Sequence, residues 1–498
     1  MTVVARATNA AAGEDWAGLY GLLHAADRHP VAPLGAAGLD ALADSAWWSG
    51  HVDESVAARL RAHAAYVAAH DPRGAGRAAW ELSAEYRRLG RPAAAAGWLH
   101  RARHHLEDRP DCPEQCLLAW SDIADAEEHH APATALAAAR RMTRLAARSG
   151  SPDLLALGHQ AESSVLLARG PAHRAEALAL LDEAMRPVTA GELSDLFTGR
   201  LYDLALGESM RAAELARTVE WTDAALAWCA APRSQRPEAG GEPAVMAGDR
   251  PAAAPRSQRP EPGSGPAVMA GPPPLTGNPF RALFRLHHVE VLDLLGDWTR
   301  AEEEARLVYH EVLSDSLDTA AAAAYAVGEI QRRQGRLDEA ARSYAHAHEL
   351  GRVPQPGLAL LRLAQGRADT ASAGLRLALD CQSDPAHDVL GRARLLAALV
   401  ETHLALGDTD AAEGAVTGLE ALDPAGEVPL LAAMAAGARG AVTRAPGQLR
   451  RALALWLELR VPYEAARVRM RLAAADPAAT AELTAARAAF TRLGAVPA

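Results

Sequence analysis

The hydrophobic positions of this chain recur with helical spacing along most of its length. In LDLLGDWTRAEEEARLVYHEV, Leu292, Leu295 and Trp298 lie three positions apart, and such residues are expected to fill the space between hairpins. Gly296 interrupts this segment and marks a turn. Glycine favours the positive-φ conformation that ends a helix, so a second helix begins after it. The pattern therefore predicts helical hairpins.

The hairpin pattern repeats along the chain. Copies begin at Trp47 (WWSGHVDESVAARLRAHA), Tyr86 (YRRLGRPAAAAGWLHRARHHL), Ile330 (IQRRQGRLDEAARSYAHAHEL), Leu361 (LRLAQGRADTASAGLRLAL) and Leu404 (LALGDTDAAEGAVTGLEAL). The turn glycines form pairs 31 to 41 residues apart: Gly50 and Gly90, Gly296 and Gly335, Gly335 and Gly366, Gly366 and Gly407. This spacing is close to the roughly 34-residue tetratricopeptide (TPR) period. A small residue early in the second helix, Ala301, Ala340 or Ala411, is expected to let the two helices approach.

These repeats predict an all-α fold, a right-handed α-solenoid of TPR-like antiparallel helical hairpins. One TPR-like half is expected over residues 1–231 and the other over 278–498, together forming one continuous superhelix. A single hairpin cannot bury its apolar face alone, so the hairpins must stack.

Residues 232–277 interrupt the helical pattern. They are rich in Pro, Gly, Ser and Ala, and PRSQRPEAGGEPAVMAG from Pro232 recurs 23 residues later as PRSQRPEPGSGPAVMAG from Pro255. So few large apolar side chains cannot offset the entropy of ordering, which predicts a disordered insert. Such a segment could dock a partner, but loops of this composition are more often expansions without a binding role.

The composition of the chain argues against several classes of function. The formal net charge is −11, and every basic residue is an arginine dispersed among acidic residues. This dispersal argues against direct nucleic-acid binding. The absence of lysine from the sequence excludes a P-loop lysine, a Schiff-base lysine and a protein-kinase lysine, and no cofactor is predicted. Four scattered cysteines, no signal-peptide pattern and no long apolar run predict a cytoplasmic protein without a membrane segment.

Motifs for catalysis and metal binding are weak. The segment from Gly74 to Ala79, GAGRAA, matches a loose dinucleotide fingerprint but follows a helical pattern where that motif needs a strand. Histidines and cysteines gather between residues 100 and 130, yet CPEQC lacks the two-residue spacing of a zinc knuckle. HEVLS from His310 lacks the second histidine of a zincin. No metal site is predicted, and no catalytic residue can be assigned.

Several polar and aromatic residues are candidates for binding a ligand or partner. They flank the predicted insert: Glu192, Asp195, Arg200, Tyr202, Trp221, Trp228, Arg281, Arg285 and His287. Tryptophans in α-solenoids more often pack between hairpins than bind ligands. The arginines could pair with a carboxylate or phosphate, or cap neighbouring helices.

A family resemblance rests on a set of phrases spread along the chain. They are WWSGHVDESVAAR, GWLHRARHHLEDRPDCPEQ, LLDEAMRPVTAGELSD, ELARTVEWTDAALAWC, NPFRALFRLHHVEVLDLLGDWTRAEEEA, GEIQRRQGRLDEAARSYAHAHELGRVPQPGLALLRLAQGR and ELRVPYEAARVRMRLA. From about Ala37 onward the chain resembles the TPR-rich C-terminal region of actinobacterial LuxR-type, MalT-like transcriptional regulators and related ATPase and adenylate-cyclase fusions. The resemblance implies a sensing solenoid, here expected without the ATPase, cyclase or helix-turn-helix domains.

The solenoid pattern and the resemblance favour a regulatory or adaptor protein that binds a protein, a peptide or a small-molecule effector in its concave groove. The alternative is a biosynthetic enzyme that uses this groove as an active site. A further possibility is a regulator fragment that acts through homo- or hetero-oligomers.

Overall fold

The computed structural model describes residues 16–28, 34–230, 278, 280–313, 316–476 and 478–496. These residues form 23 α-helices and one 3-10 turn at Pro171–His173, and the described part of the chain contains no β-strand. The predicted all-α fold of stacked, TPR-like antiparallel hairpins is confirmed. The predicted insert at 232–277 lies outside the described residues. No described helix is both long and apolar enough to cross a bilayer.

The helices belong to two compact units. In the first unit they are α1 (Trp16–Asp27), α2 (Ala36–Trp48), α3 (Val52–Ala68), α4 (Pro72–Arg88) and most of α5 (Pro92–Leu106). The second unit begins with α6 (Gln115–Glu128), α7 (Pro132–Ser149), α8 (Pro152–Leu167), α9 (Arg174–Ala190), α10 (Asp195–Arg211) and α11 (Leu215–Ala230). It continues with α12 (Arg281–Leu295), α13 (Trp298–Val312), α14 (Leu317–Arg333), α15 (Leu337–Glu349), α16 (Gly357–Ala364) and α17 (Ala368–Asp380). Its last helices are α18 (Val389–Leu406), α19 (Thr409–Glu420), α20 (Pro429–Thr443), α21 (Pro446–Glu458), α22 (Pro462–Ala475) and α23 (Thr480–Leu493).

The expected halves, residues 1–231 and 278–498, stay a prediction. Helices α6 to α11 lie in the same unit as α12 to α23, although the insert separates them in sequence. The expected continuous superhelix stays a prediction.

The predicted turn chemistry is present at all six turn glycines. Their φ angles lie between 69° and 85°, in the left-handed region that glycine adopts without strain. At Gly296, the N–H of the next residue, Asp297, donates to the carbonyl of Leu292 at 3.0 Å, which closes the helix end.

Five positions after each turn glycine lies a small, buried residue. These residues are Ser55, Ala95, Ala301, Ala340, Ala371 and Ala412, none more than 6% exposed. The prediction was therefore right for Ala301 and Ala340 but wrong by one position for Ala411, which is only partly buried. Ala412 makes the close contact because it carries the same offset from its turn glycine as the other five.

Four more turns follow the same rule without glycine. His70, His130, Ala213 and Arg460 have φ angles between 50° and 62°. Each is followed at the fifth position by a small buried residue: Ala75, Ala135, Thr218 and Ala465. A left-handed conformation costs a non-glycine residue roughly 1–2 kcal/mol, so packing of the hairpin must impose it.

Replacing the exposed Arg460 by glycine is expected to raise the free energy of unfolding by about 0.5 kcal/mol, because relief of strain exceeds the added unfolded-state entropy. Urea denaturation followed by circular dichroism measures the change. Arg342→Gly, at an exposed position inside α15, is the matched control and should lower the same free energy by about 1 kcal/mol. A loss of stability in both variants would contradict the prediction.

The first unit is organised around a buried carboxylate. Asp40, which is 5% exposed, accepts hydrogen bonds from Arg59 at 2.8 Å, from the hydroxyl of Tyr66 at 2.7 Å and from Arg77. Burial alone would raise the pKa of Asp40, but the charges of Arg59 and Arg77 and these hydrogen bonds lower it. Helices α2, α3 and α4 are thereby joined by charge as well as by apolar packing.

In the second unit the C-terminal hairpin packs back onto earlier helices. Trp298 of α13 and Tyr463 of α22 belong to one apolar cluster, together with Val289 of α12 and Phe490 of α23. A larger cluster joins the α10–α11 turn to helices α16 to α22. The second cluster brings the segment between α17 and α18 beside α10, where the candidate site lies.

Candidate functional site

A cleft of about 440 Å³ lies within the second unit. Three alternate helices, α6, α8 and α10, line it, and residues 382–388 between α17 and α18 complete the wall. Each of the three helices pairs with the helix that follows it, so the lining helices are the first members of three successive hairpins.

Helical spacing explains which side chains reach the cleft. Residues three, four or seven positions apart share one face of a helix. The lining residues follow this rule on each helix: Trp120, Ile123, Ala124 and Glu127 on α6, Gln160, Ala161 and Ser164 on α8, and Leu204, Glu208 and Arg211 on α10.

Glu208 is the buried charge of the cleft, with 2% of the residue exposed. One carboxylate oxygen, Oε1, accepts hydrogen bonds from the hydroxyl of Ser164 at 2.9 Å and from Nη2 of Arg211 at 2.7 Å. The other, Oε2, lies 2.6 Å from Nε2 of His387. Burial alone would raise the pKa of Glu208, but the hydrogen bond from His387 and the charges of His387 and Arg211 lower it to about 2.

His387 connects residues 382–388 to α10 across 179 positions of sequence. Burial would lower the pKa of its imidazole, but its hydrogen bond and ion pair with Glu208 raise the pKa above the usual value. Its own segment is held locally, because Asp384 accepts from the His387 N–H at 3.1 Å and Asp388 caps α18 by accepting from the Gly391 N–H at 3.0 Å.

Replacing His387 by glutamine is expected to lower the free energy of unfolding by about 1–3 kcal/mol near pH 6. The folded-state pKa of His387 is raised, so the stability it adds is complete below about pH 6.5 and is lost as pH rises through the folded value. Glu208 stays ionised over this range because its pKa is about 2. The difference between wild type and variant, measured by urea denaturation from pH 6 to pH 9, should therefore shrink.

The control for this prediction is His348→Gln, at an exposed position of α15. It should leave the stability unchanged at every pH. A wild-type minus His387→Gln difference that grows with pH would contradict the charged His387–Glu208 pair.

Two hydrogen-bond acceptors of the cleft have no partner in the described part of the chain. The side-chain carbonyl oxygen of Gln160 has no hydrogen-bond partner, and the residue is only 1% exposed, so solvent does not replace the missing partner. The side chain of Glu127, at the exposed edge of the cleft, makes no hydrogen bond or ion pair with any described residue. Partial desolvation raises the pKa of Glu127, and the like charges of Glu208 and Asp384 add to the rise.

Tyr202 and Trp228, two of the residues proposed from sequence, are brought together in the structure. They pack with Phe284, whose ring centroid lies 5.9 Å from Tyr202 and 6.2 Å from Trp228. Burial raises the pKa of Tyr202 to about 12, and Trp221 is also buried. These rings fill space between helices α10, α11 and α12.

The remaining proposed residues are dispersed. Arg285 pairs with Glu311 at 3.3 Å, and His287 lies 3.7 Å from Asp203. Asp195 is buried, Arg200 is partly buried, and Glu192 and Arg281 are exposed. None of the nine residues proposed from sequence lines the cleft. Their role in binding stays a prediction.

Sequence reasoning missed Glu127, Gln160, Glu208 and His387. Glu208 carried a usable signal, because it falls on the same helical face as Leu201 and Ala205, both fully buried. A carboxylate on such a face needs a partner. His387 carried none, since it lies in the polar segment SDPAHD.

The segments considered for other chemistry have structural positions. Gly74 and Ala79 lie inside α4, with Gly74 packed against the ring of Tyr66. Cys116 is fully buried, and burial raises the pKa of its thiol to about 11. Among the described residues, no three His, Cys, Asp or Glu side chains are grouped so as to hold a metal ion.

No protein-family model matches the sequence, and no curated protein sequence matches it significantly. Solved structures do resemble the fold. A human IFIT1 dimer with PPP-AAAA is 12% identical, with a TM-score of 0.41 over 96% of this chain and 94% of that chain. The Cut9–Hcn1 hetero-tetramer of APC/C is 12% identical, with a TM-score of 0.41 over 99% of this chain and 86% of that chain. Yeast Tom70 is 12% identical, with a TM-score of 0.33 over 98% of this chain and 95% of that chain. At these similarities no ligand of those proteins is transferred to this chain.

Proposed function

We propose that this protein is a TPR-type regulatory or adaptor protein that binds a partner or small effector in the cleft lined by α6, α8 and α10. The observation that carries the proposal is the buried, unpaired carbonyl of Gln160 in the wall of a cleft of about 440 Å³. A buried acceptor left without a hydrogen bond costs about 1–3 kcal/mol. A ligand that donates a hydrogen bond there would recover this energy.

The size and lining of the cleft suit a ligand or an inserted side chain. Its volume falls within the range of small-molecule sites, roughly 300–1,000 Å³. Its wall combines apolar groups such as Ile123 and Leu204 with a few convergent polar groups. Both are features of binding sites in general and do not require catalysis.

A substitution that fills the cleft tests this proposal. Leu204→Trp adds a large ring to the wall, while Leu307→Trp makes the same change at an exposed position of α13. A metabolite panel read by thermal shift and affinity purification from the native cytoplasm should give a ligand or partner that binds wild type and Leu307→Trp but not Leu204→Trp. Equal binding to all three proteins would refute the cleft as the site.

The regulatory part of the proposal draws support from the resemblance to the sensing region of LuxR-type, MalT-like regulators. That resemblance stays a prediction, as do the cytoplasmic location and oligomerisation with full-length relatives. Co-purification of such a relative with this chain would support the last of these.

One observation favours the enzyme alternative. Glu127 has a raised pKa and Glu208 a lowered one within the same cleft, a pattern that acid–base pairs in active sites show. However, both oxygens of Glu208 already have hydrogen-bond partners in Ser164, Arg211 and His387. Glu208 therefore has a structural role, because it joins α8, α10 and residues 382–388 through these hydrogen bonds. The arrangement supports binding better than catalysis.

A further inference from the structure

We propose that the cleft binds a positively charged nitrogen group, a guanidinium or an alkylammonium, carried on an aliphatic stem. This inference rests on the proposed function and adds the chemical class of the ligand. Two independent observations support this inference: the carboxylates of the lining and the unpaired carbonyl of Gln160.

The charge of the lining is the first observation. Its carboxylates are Glu127, Glu208, Asp384 and Asp388, and its cations are Arg211 and His387 when protonated. The lining therefore carries two more negative than positive charges. Both cations are engaged by Glu208, and His387 also pairs with Asp384, so neither cation pairs with Glu127. Asp388 caps α18, and Asp384 accepts from the His387 N–H and pairs with the His387 ring at 3.6 Å. Glu127 is left to face a ligand.

The Gln160 carbonyl is the second observation, and it does not depend on charge. An orphaned acceptor needs an N–H or O–H donor. A guanidinium or ammonium supplies donors and no acceptor, so it matches the Gln160 carbonyl, and its positive charge matches the carboxylates of the lining. The Nε–H of Arg211 is also unpaired, but its guanidinium is already balanced by Glu208, so it does not create an anion site.

The apolar wall favours a cation on a stem over a bare ion. Trp120, Ile123 and Leu204 lie along the same cleft. Methylene groups of arginine, lysine or a polyamine bury well against such side chains, and an indole ring attracts a nearby cation through its π face.

Isothermal titration calorimetry tests the charge directly. N-acetylarginine amide is compared with N-acetylcitrulline amide, which has nearly the same shape without the charge. The arginine compound is expected to bind at least about tenfold more tightly. Equal affinity of the two compounds would overturn the proposal.

Two variants locate the contact. Glu127→Gln should weaken binding of the arginine compound by about tenfold, whereas Glu128→Gln, its exposed neighbour on α6, should not change it. Gln160→Leu should weaken binding while leaving the melting temperature unchanged or higher, because it removes a buried unpaired acceptor. Binding unaffected by both Glu127→Gln and Gln160→Leu would also overturn the proposal.

The source of the cation is resolved by adding agmatine, spermidine and a capped Gly-Arg-Gly peptide. Tightest binding by agmatine or spermidine indicates a free small cation; tightest binding by the peptide indicates a basic side chain of a partner protein. If no cation binds, but wild type binds another ligand that Leu204→Trp does not bind, the proposed chemical class of the ligand is wrong and the proposed function stands. If Leu204→Trp still binds every ligand that wild type binds, the proposed function itself fails.

Discussion

Replacing Glu329 by glutamine is expected to lower the free energy of unfolding by about 3–5 kcal/mol. Glu329 lies on α14 and is 8% exposed. Its carboxylate accepts hydrogen bonds from Arg332 at 2.9 Å, from Arg333 at 3.1 Å and from the hydroxyl of Tyr344 at 2.6 Å. Glutamine carries no charge, so Arg332 would lose the partner that compensates for its burial. Leaving one charge buried and unpaired costs more than the net stability that the ion pair contributes.

The pH dependence separates this effect from simple repacking. Burial would raise the pKa of Glu329, but the charges of Arg332 and Arg333 and the hydrogen bonds lower it to about 2. A lowered folded-state pKa adds stability that is complete above about pH 4.5 and is lost as pH falls toward 2. The difference between wild type and Glu329→Gln, measured by urea denaturation, should therefore shrink between pH 5 and pH 3.

Glu303→Gln provides the matched control, since Glu303 is exposed on α13 and makes no ion pair with a described residue. It should change the free energy of unfolding by less than about 0.5 kcal/mol at every pH. Similar losses in Glu329→Gln and Glu303→Gln would show that the buried ionic cluster does not stabilise the second unit.

The fold could be predicted because its signal is local. A turn glycine and a small residue five positions later are separated by less than two helical turns, so the sequence shows both directly, as at Gly335 and Ala340. The turns at His130 and Ala213 gave no such signal, because tertiary packing imposes the left-handed conformation on residues that do not favour it.

The candidate site could not be predicted for the opposite reason. Glu208 and His387 meet across 179 positions, and no local pattern reports such a contact. The sequence did bring attention to Tyr202 and Trp228, which contact each other, but aromatic residues mark packing and binding alike. What distinguishes the cleft is the unpaired Gln160 carbonyl, which is visible only once all its neighbours are known.

Long-range contacts also determine how the second unit is held together. Its apolar clusters join helices far apart in sequence, and the ion pair between Arg467 and Glu401 joins α22 to α18, with another hairpin between them in sequence. A simple stack of hairpins would lack such contacts, because each repeat would touch only its neighbours. We therefore expect the second unit to unfold more cooperatively than a simple repeat array.

Trp298→Ala tests this cooperativity and should lower the free energy of unfolding by about 3–5 kcal/mol. Trp298 is 2% exposed, its indole N–H donates to the Asp293 carbonyl at 2.9 Å, and its ring lies 5.3 Å from that of Tyr463. Removing the ring leaves a cavity where α13 meets the C-terminal hairpin. Amide hydrogen exchange should accelerate in α22 and α23 as well as in α13, because the hairpin loses its anchor.

Leu307→Ala, at a position of the same helix that is 55% exposed, is the control and should change stability by less than about 0.5 kcal/mol. If exchange in Trp298→Ala accelerated only in α13, the C-terminal hairpin would be a separate folding unit. If it accelerated in α10 and residues 382–388 too, disruption at Trp298 would reach the wall of the cleft, because the unit opens as one body. Ligand binding in the cleft would then depend on a contact that no cleft residue makes.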